Sequence, residues 1–159
     1  MEKELFSESK KFKDIRLYDF YIPFKKAVEV VKRTQPFADP ANPTPEFAND
    51  LRKQVSNLLN LKDNDKKLKF YTAVGSHLDR WHKIDAFLEL EDDNGKITRV
   101  TLDVTINAKK GDEYGADIVF LVPSDGIDKR VNEEEYNKTI QDLSEDIKKY
   151  FEFKKTKKP

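Results

Sequence analysis

The chain has 159 residues, of which 38% are charged and 37% hydrophobic, and its formal net charge is zero. A zero net charge excludes a global positive field for nucleic acid, so any such binding must depend on local patches. The absence of cysteine excludes disulfides, thiol catalysis and cysteine-based zinc sites.

The sequence also bears on cellular context. No apolar run approaches the ~20 residues that a membrane-spanning helix needs. The first residues lack the basic-then-apolar layout of a secretory signal peptide. We therefore expect a cytoplasmic protein that makes no membrane contact and folds as a single domain over 1–159. A homodimer is compatible with the sequence, but no feature indicates one.

The first part of the chain predicts one firm helix. Residues 1–16 are charged with scattered apolar residues, and we expect a loose end there. Pro23 interrupts a helical stripe within 17–33, because its ring clashes with the preceding turn of a helix. The firm helix should therefore begin near Pro23. The stripe consists of Phe20, Phe24, Ala27, Val28 and Val31.

A proline-rich loop and a second helix follow. Four prolines within 36–45 forbid regular structure in that segment. Thr44 and Pro45 then have the residue types of an N-cap and a first helical position. The second helix should extend from there to about Leu61, and a charged turn should occupy 62–67.

Four strands are predicted next. Residues 69–74 form the first, and 83–91 and 97–106 have the alternation of a β-hairpin. Residues 116–122 are almost uniformly apolar, which is typical of a central strand buried on both faces.

A last helix completes the predicted order. Asn132 and Glu135, three residues apart, form a variant of the capping box and mark its start. The lysine-rich residues 152–159 should be a loose end. The chain therefore predicts an α+β fold, α/β-like in its three layers, with a central mixed four-stranded sheet flanked by helices in the order α-α-β-β-β-β-α. The apolar face of the last helix should contain Tyr136, Ile140, Leu143, Ile147 and Tyr150.

The register of the hairpin follows from its turn. A three-residue loop over 93–95, with its Asn-Gly turn signal, pairs Asp92 with Lys96. Because a slip of one residue moves every side chain to the other face, burial should select the register with one continuous apolar face. That register pairs Ile84 with Val104, Ala86 with Leu102, and Leu88 with Val100.

The opposite face of the hairpin carries two acids. The same register sets Asp85 opposite Asp103, with Cβ atoms roughly 5 Å apart. Carboxylates this close need a cation, a shared proton or a lysine. They therefore indicate a metal-binding catalytic site, with solvated surface polarity as the alternative. Glu89 lies opposite Arg99 on this face and should form a salt bridge.

Asp85 on one strand, with Asp103, Val104 and Thr105 on the next, resembles the restriction-endonuclease-like nucleases of the PD-(D/E)XK superfamily. In that family a helix precedes three antiparallel strands, an Asp begins one strand, and an acid-x-Lys triplet lies on the next. The resemblance covers residues 46–122. It implies a nuclease in which Asp85, Asp103 and the carbonyl of Val104 bind Mg²⁺ or Mn²⁺ and phosphodiester bonds in DNA are hydrolysed.

The chain departs from the family pattern at the lysine, since Thr105 stands in its place. The hairpin register puts Lys83 opposite Thr105, on the face of both acids, and we expect Lys83 to supply the catalytic ammonium group. Lys109 and Lys110, just past the strand, are the alternative sources. They and His82 are also the expected substrate contacts. The connection after the strand is too short for a full crossover helix.

The segment 75–82 contains both histidines of the chain. With Asp79 and Asp85 they offer ligands for a transition metal, but a role in orienting the loop or touching substrate is the favoured interpretation. Trp81 is expected to fill the core, with base stacking as the alternative.

The sequence is compatible with two functions. The first is a metal-dependent nuclease, with Glu46 or Asp50 from the second helix as a further ligand. The second is a catalytically inactive domain of the same fold that binds nucleic acid or protein, which Thr105 and the zero net charge support.

Overall fold

A mixed four-stranded sheet lies at the centre of the computed structural model, which describes residues 21–106 and 115–156. Its spatial order is β1 (Leu68–Thr72), β2 (Ala86–Glu91), β3 (Ile97–Thr105) and β4 (Ile118–Leu121). The first three strands are antiparallel neighbours, and β4 pairs in parallel with β3. The predicted fold class and the predicted mixed sheet are confirmed. The expectations for 1–16, Lys109 and Lys110 concern residues outside the described ranges.

Four α-helices and one 3₁₀-helix accompany the sheet within residues 21–106 and 115–156. The α-helices are α1 (Phe24–Arg33), α2 (Glu46–Leu58), α3 (His77–His82) and α4 (Glu133–Thr156), and the 3₁₀-helix is Lys62–Lys67. The predicted order holds, with the short α3 added between β1 and β2. In the part of the chain that the structure describes, no helix has the length and apolar character needed to cross a bilayer.

The helix starts follow local rules. Helix α1 begins directly after Pro23, as predicted. The expectation that Thr44 caps α2 is wrong by one residue, because Pro45 has extended backbone angles and is itself the N-cap. The side chain of Asn132 accepts a hydrogen bond from the amide of Glu135 (3.0 Å), which confirms the predicted cap of α4.

The end of α4 differs from the prediction. The helix continues to Thr156, so the loose end expected from 152 is wrong for 152–156. Phe151 is fully buried, whereas Tyr150 is 36% exposed. The period of 3.6 residues explains this, since the position four residues after Ile147 returns to the same face.

The sheet separates two hydrophobic cores. Along β2, Leu88 points into a first core against α2 and α4, and Phe87 points into a second core against α1 and α3. Successive side chains of a strand point to opposite faces, so the molecule has the three layers that the sequence predicts. Strand β4 is an edge strand of the sheet as described, with Leu121 54% exposed. The expectation of a central strand at 116–122 is therefore wrong.

The predicted hairpin register is confirmed over most of its length. The amide of Asp92 donates to the carbonyl of Lys96 (2.9 Å), and Gly95 closes the turn with a φ of +81° that favours glycine. The cross-strand pairs of β2 and β3 include Ala86 with Leu102, Leu88 with Val100, and Glu89 with Arg99.

Candidate functional site

The regular pairing of β2 with β3 ends at Ala86, one residue after the first candidate acid. The amide of Asp85 donates to the carbonyl of Leu102 (2.8 Å), although Leu102 already pairs with Ala86. Asp85 is thus shifted by one residue from the predicted position directly opposite Asp103. The shift has the residue count of a β-bulge, in which two residues of one strand oppose one of the other.

Ile84 shows the effect of this shift. It is buried in the second core together with Phe87, on the side of the sheet opposite Ala86. The prediction that Ile84 lies opposite Val104 on the first apolar face is therefore wrong. The reason is that the strict alternation of β2 does not extend past the irregular pairing at Asp85.

The carboxylate of Asp85 replaces a backbone partner in β3. Its Oδ2 accepts a hydrogen bond from the amide of Val104 (2.8 Å), while its own carbonyl accepts from the amide of Ala73 on the other side (2.8 Å). The amide of Val104 belongs to the peptide group that follows Asp103. The side chain of Asp85 is therefore bound to the peptide group that links Asp103 to Val104.

Both candidate acids are buried, with Asp85 1% and Asp103 2% exposed. Asp103 lies in β3 beside Val119 of β4, between the buried residues Thr101 and Thr105. Burying a carboxylate is costly unless it is paired or hydrogen-bonded. The alternative of two solvated surface acids is therefore wrong.

Asp117, which the sequence analysis did not consider, lies next to this strand. Its Oδ2 accepts hydrogen bonds from the amide of Thr101 (2.9 Å) and from the ammonium group of Lys154 on α4 (2.6 Å). Its own amide donates to the hydroxyl of Thr101 (2.8 Å). The only sequence signal was an acid directly before an apolar run. Asp117 fixes the start of β4 against β3.

The predicted salt bridge on the second face is confirmed and is part of a triad. Arg99 contacts the buried carboxylate of Glu89 through Nε (2.8 Å) and Nη2 (2.7 Å), and Lys32 of α1 reaches its other oxygen (2.9 Å). Burial, with Glu89 nearby, raises the pKa of the Tyr71 hydroxyl to about 12. This face of the sheet carries charged side chains and is still covered by α1, because Lys32 of that helix pairs with the buried carboxylate of Glu89.

Lys83 does not lie in a strand. It is the exposed C-cap of α3 in a left-handed conformation, with φ +59°. The prediction that it lies opposite Thr105 is wrong. Ser76 starts the helix by accepting hydrogen bonds from the amides of Leu78 and Asp79. This N-cap signal was present in the sequence. The helix that it starts ends at Lys83, whose left-handed backbone angles exclude a strand at that residue.

The two histidines lie at opposite ends of α3. The Nε2 atom of His82 is hydrogen-bonded to the carbonyl of Ile22 (2.9 Å), and its ring contacts Tyr21 and Phe24. His77 is buried near the start of α3. Within 21–106 and 115–156, no three His, Asp or Glu side chains form a group suited to a metal ion. His82 thus holds the segment before α1 against α3.

The other predicted contributors either have contacts of their own or lie outside the described residues. Trp81 is 38% exposed, so the prediction that it fills the core is wrong. Asp50 accepts a hydrogen bond from the hydroxyl of Tyr136 (2.7 Å), and Glu46 forms an ion pair with Arg130, so both acids face α4 or its preceding loop. The roles of Lys109 and Lys110 stay predictions, as they lie outside the described residues.

Comparisons of this chain with protein-family models, with curated proteins and with solved structures found no match. The candidate site therefore has to be judged on its own chemistry.

Proposed function

We propose that this protein is a metal-dependent nuclease that hydrolyses phosphodiester bonds in DNA. The observation that supports it best is the hydrogen bond from the Val104 amide to the carboxylate of Asp85, which holds that carboxylate beside the peptide of Asp103. Helix α2 precedes the three antiparallel strands that carry these residues. This is the arrangement expected from the resemblance to the PD-(D/E)XK nucleases.

The donor set suits a hard divalent cation. Asp85 and Asp103 supply carboxylate oxygens, and the backbone carbonyl of Val104, directly after Asp103 in β3, is the third candidate ligand. Mg²⁺ uses one or two carboxylates and keeps several waters, so two acids suffice, and Mn²⁺ takes similar oxygen ligands. When bound, the ion supplies a water of lowered pKa and stabilises negative charge on the phosphate.

The residues of the chain have separate tasks in this proposal. Asp85 and Asp103 hold the cation, and the bond to Val104 fixes the orientation of Asp85. Thr105 cannot supply the positive charge that a lysine gives at its position. Lys109 and Lys110, which follow β3 in the sequence, are the preferred sources of that charge and of phosphate contacts, because Lys83 ends a helix.

The test is cleavage of supercoiled plasmid DNA with Mg²⁺ or Mn²⁺, and with EDTA as the metal-free reference. We expect Asp103→Asn to lower cleavage by orders of magnitude, because one of two metal-binding carboxylates is lost. Asp142→Asn, an exposed acid on the outer side of α4, is the matched control and should cleave like the wild type. Equal cleavage by Asp103→Asn and the control would contradict the proposal.

The source of the lysine can be tested in the same assay. We compare Lys109→Ala and Lys110→Ala with Lys83→Asn. Asparagine is chosen at 83 because it tolerates the left-handed backbone found there. Loss of turnover in one of the first two variants would place the ammonium group beyond the strand, and loss only in Lys83→Asn would restore Lys83 as its source.

A second candidate is an inactive domain that binds nucleic acid or protein. The burial of both acids favours it, since a catalytic metal must meet a phosphate. DNA binding by the wild type without cleavage in either metal would support this candidate over the nuclease.

A further inference from the structure

An exposed aromatic surface lies at the junction of α1 and α3. We define it by Tyr21, Arg80, Trp81 and Lys83. Tyr21 is 59% and Trp81 38% exposed, and their rings meet edge to face with centroids 5.9 Å apart. The guanidinium carbon of Arg80 lies 5.4 Å from the centre of the Trp81 ring. Large aromatic side chains at the surface of a protein are typical of binding sites.

The aromatic surface is held by contacts between segments distant in sequence. The hydrogen bond from His82 to the carbonyl of Ile22 joins the end of α3 to the residues before α1. The ring of His82 also packs between Tyr21 and Phe24, with centroids 5.6 and 5.7 Å away. A surface fixed in this way loses little conformational entropy when a ligand binds.

Basic residues flank the two aromatic rings in the sequence, although the chain as a whole is neutral. Residues 21–26 and 80–83 contain three lysines and one arginine and no acid. Lys25, Lys26 and Lys83 are exposed. Asp79 is the acid that directly precedes Arg80 in the sequence. Its carboxylate accepts a hydrogen bond from the amide of Gly75 (2.8 Å), before the start of α3.

We propose that the aromatic surface binds single-stranded nucleic acid. Unpaired bases stack on Trp81 and Tyr21, and the phosphates of the same strand lie against Arg80 and Lys83. Aromatic side chains next to cations are the usual means of binding a single strand without sequence preference. Bases inside a duplex are already stacked on each other, so a duplex cannot use the aromatic rings in this way.

This inference rests on the proposed function for the choice of nucleic acid as partner, and it narrows the substrate to DNA with unpaired bases. Asp85 follows Lys83 by two residues. The aromatic surface and the first candidate metal ligand are therefore close to each other in the sequence.

The sequence offers a direct probe, because Trp81 is the only tryptophan of the chain. The full-length protein is titrated with an oligothymidylate in EDTA, so that no cleavage takes place, and tryptophan emission is recorded. We expect saturable quenching that weakens as the salt concentration rises. A blunt duplex of equal length should cause much less quenching. Unchanged emission at saturating oligonucleotide would overturn the proposal.

Variants separate stacking from charge, with binding read from the anisotropy of a labelled oligothymidylate. Trp81→Ala should bind about tenfold more weakly or worse, and Trp81→Phe should retain most of the affinity. Lys83→Asn should reduce the salt dependence by about one phosphate contact. Lys138→Ala, an exposed lysine of α4, is the matched control and should bind like the wild type. Wild-type affinity in Trp81→Ala would overturn the proposal.

The two proposals fail in different experiments. Quenching of Trp81 in EDTA without any cleavage in Mg²⁺ or Mn²⁺ would remove the nuclease and leave the single-strand surface. Cleavage that depends on Asp103, without quenching of Trp81, would do the reverse.

Discussion

At the scale of single residues, Asp85 acts on the backbone as well as on the candidate metal site. Its carboxylate accepts a hydrogen bond from the Val104 amide. In a regular strand that amide would donate to a backbone carbonyl of the neighbouring strand. Hydrogen bonds to charged groups are worth about 1.5–3 kcal/mol. Substitution of Asp85 should therefore affect folding as well as metal binding.

We predict that divalent cations stabilise the protein through these two acids. A ligand that binds only the folded state at 100 times its Kd adds about 2.7 kcal/mol to the free energy of unfolding. Thermal melts should therefore show a higher Tm in excess Mn²⁺ than in EDTA. Asp103→Asn and Asp85→Asn should each abolish the difference, and Asp85→Asn should also lower the Tm in EDTA, because the Val104 amide loses its charged acceptor.

The control for these melts is Asp142→Asn, which removes an exposed acid from the outer side of α4 and should keep the full Mn²⁺ shift. A wild type whose Tm is the same in EDTA, Mn²⁺ and Mg²⁺ would contradict the metal site and favour the inactive domain.

At the scale of elements, one edge of the sheet is closed by the segment after α1. The side-chain amide of Gln35 accepts a hydrogen bond from the amide of Thr72 (2.9 Å) and donates to the carbonyl of Thr72 (2.8 Å), as a neighbouring strand would. The amide of Phe70 donates to the carbonyl of Pro40 (2.9 Å). The loop predicted from its prolines therefore covers β1, which protects that edge from pairing with other chains.

We predict that Gln35→Ala lowers the free energy of unfolding by about 1–3 kcal/mol, because the amide and carbonyl of Thr72 lose their partner. Chemical denaturation measures the loss, and hydrogen exchange at Thr72 should become faster. Gln54→Ala is the matched control, since the side-chain amide of Gln54 donates to the side-chain amide of Gln141 and not, among the described residues, to a strand backbone. Equal stability of the two variants, with unchanged exchange at Thr72, would contradict this role of Gln35.

The elements that the sequence predicted well have strong local signals. The Asn-Gly turn and the alternation on both sides of it determine the hairpin from Ala86 to Arg99. Helix α3 was missed because a six-residue helix has too few turns for a periodic pattern, although Ser76 marks its start. That omission led directly to the error at Lys83.

Other errors have a nonlocal cause. The apolar run that contains β4 has the composition of a central strand, but composition does not say how many strands lie beyond it. The candidate acids were found from the pleat of the hairpin. The position of Asp85 relative to Asp103 was predicted wrongly. The hydrogen bond from the Asp85 amide to the Leu102 carbonyl is an irregularity of strand pairing, and the alternation of apolar and polar residues in the sequence does not reveal it.

At the scale of the whole molecule, the sheet divides the described residues into two layers of unequal size. The first core contains residues of α2, α4 and all four strands, and the second contains few residues beyond α1, α3 and the facing side chains of β1 and β2. Local opening has a lower free energy where fewer apolar contacts are lost. Both the aromatic surface and the segment that leads to Asp85 belong to the smaller layer.

We predict that this smaller layer opens before the rest of the protein unfolds. Val28→Ala in the second core and Val55→Ala in the first remove the same two methyl groups from fully buried positions. Native-state hydrogen exchange should show that Val28→Ala lowers the opening free energy of α1 by about 1–3 kcal/mol and leaves the amides of β3 unchanged. Val55→Ala should lower the protection of β3 and α4. If Val28→Ala reduces protection equally in α1 and β3, the two layers unfold as one cooperative unit, and the candidate site cannot open independently of the main core.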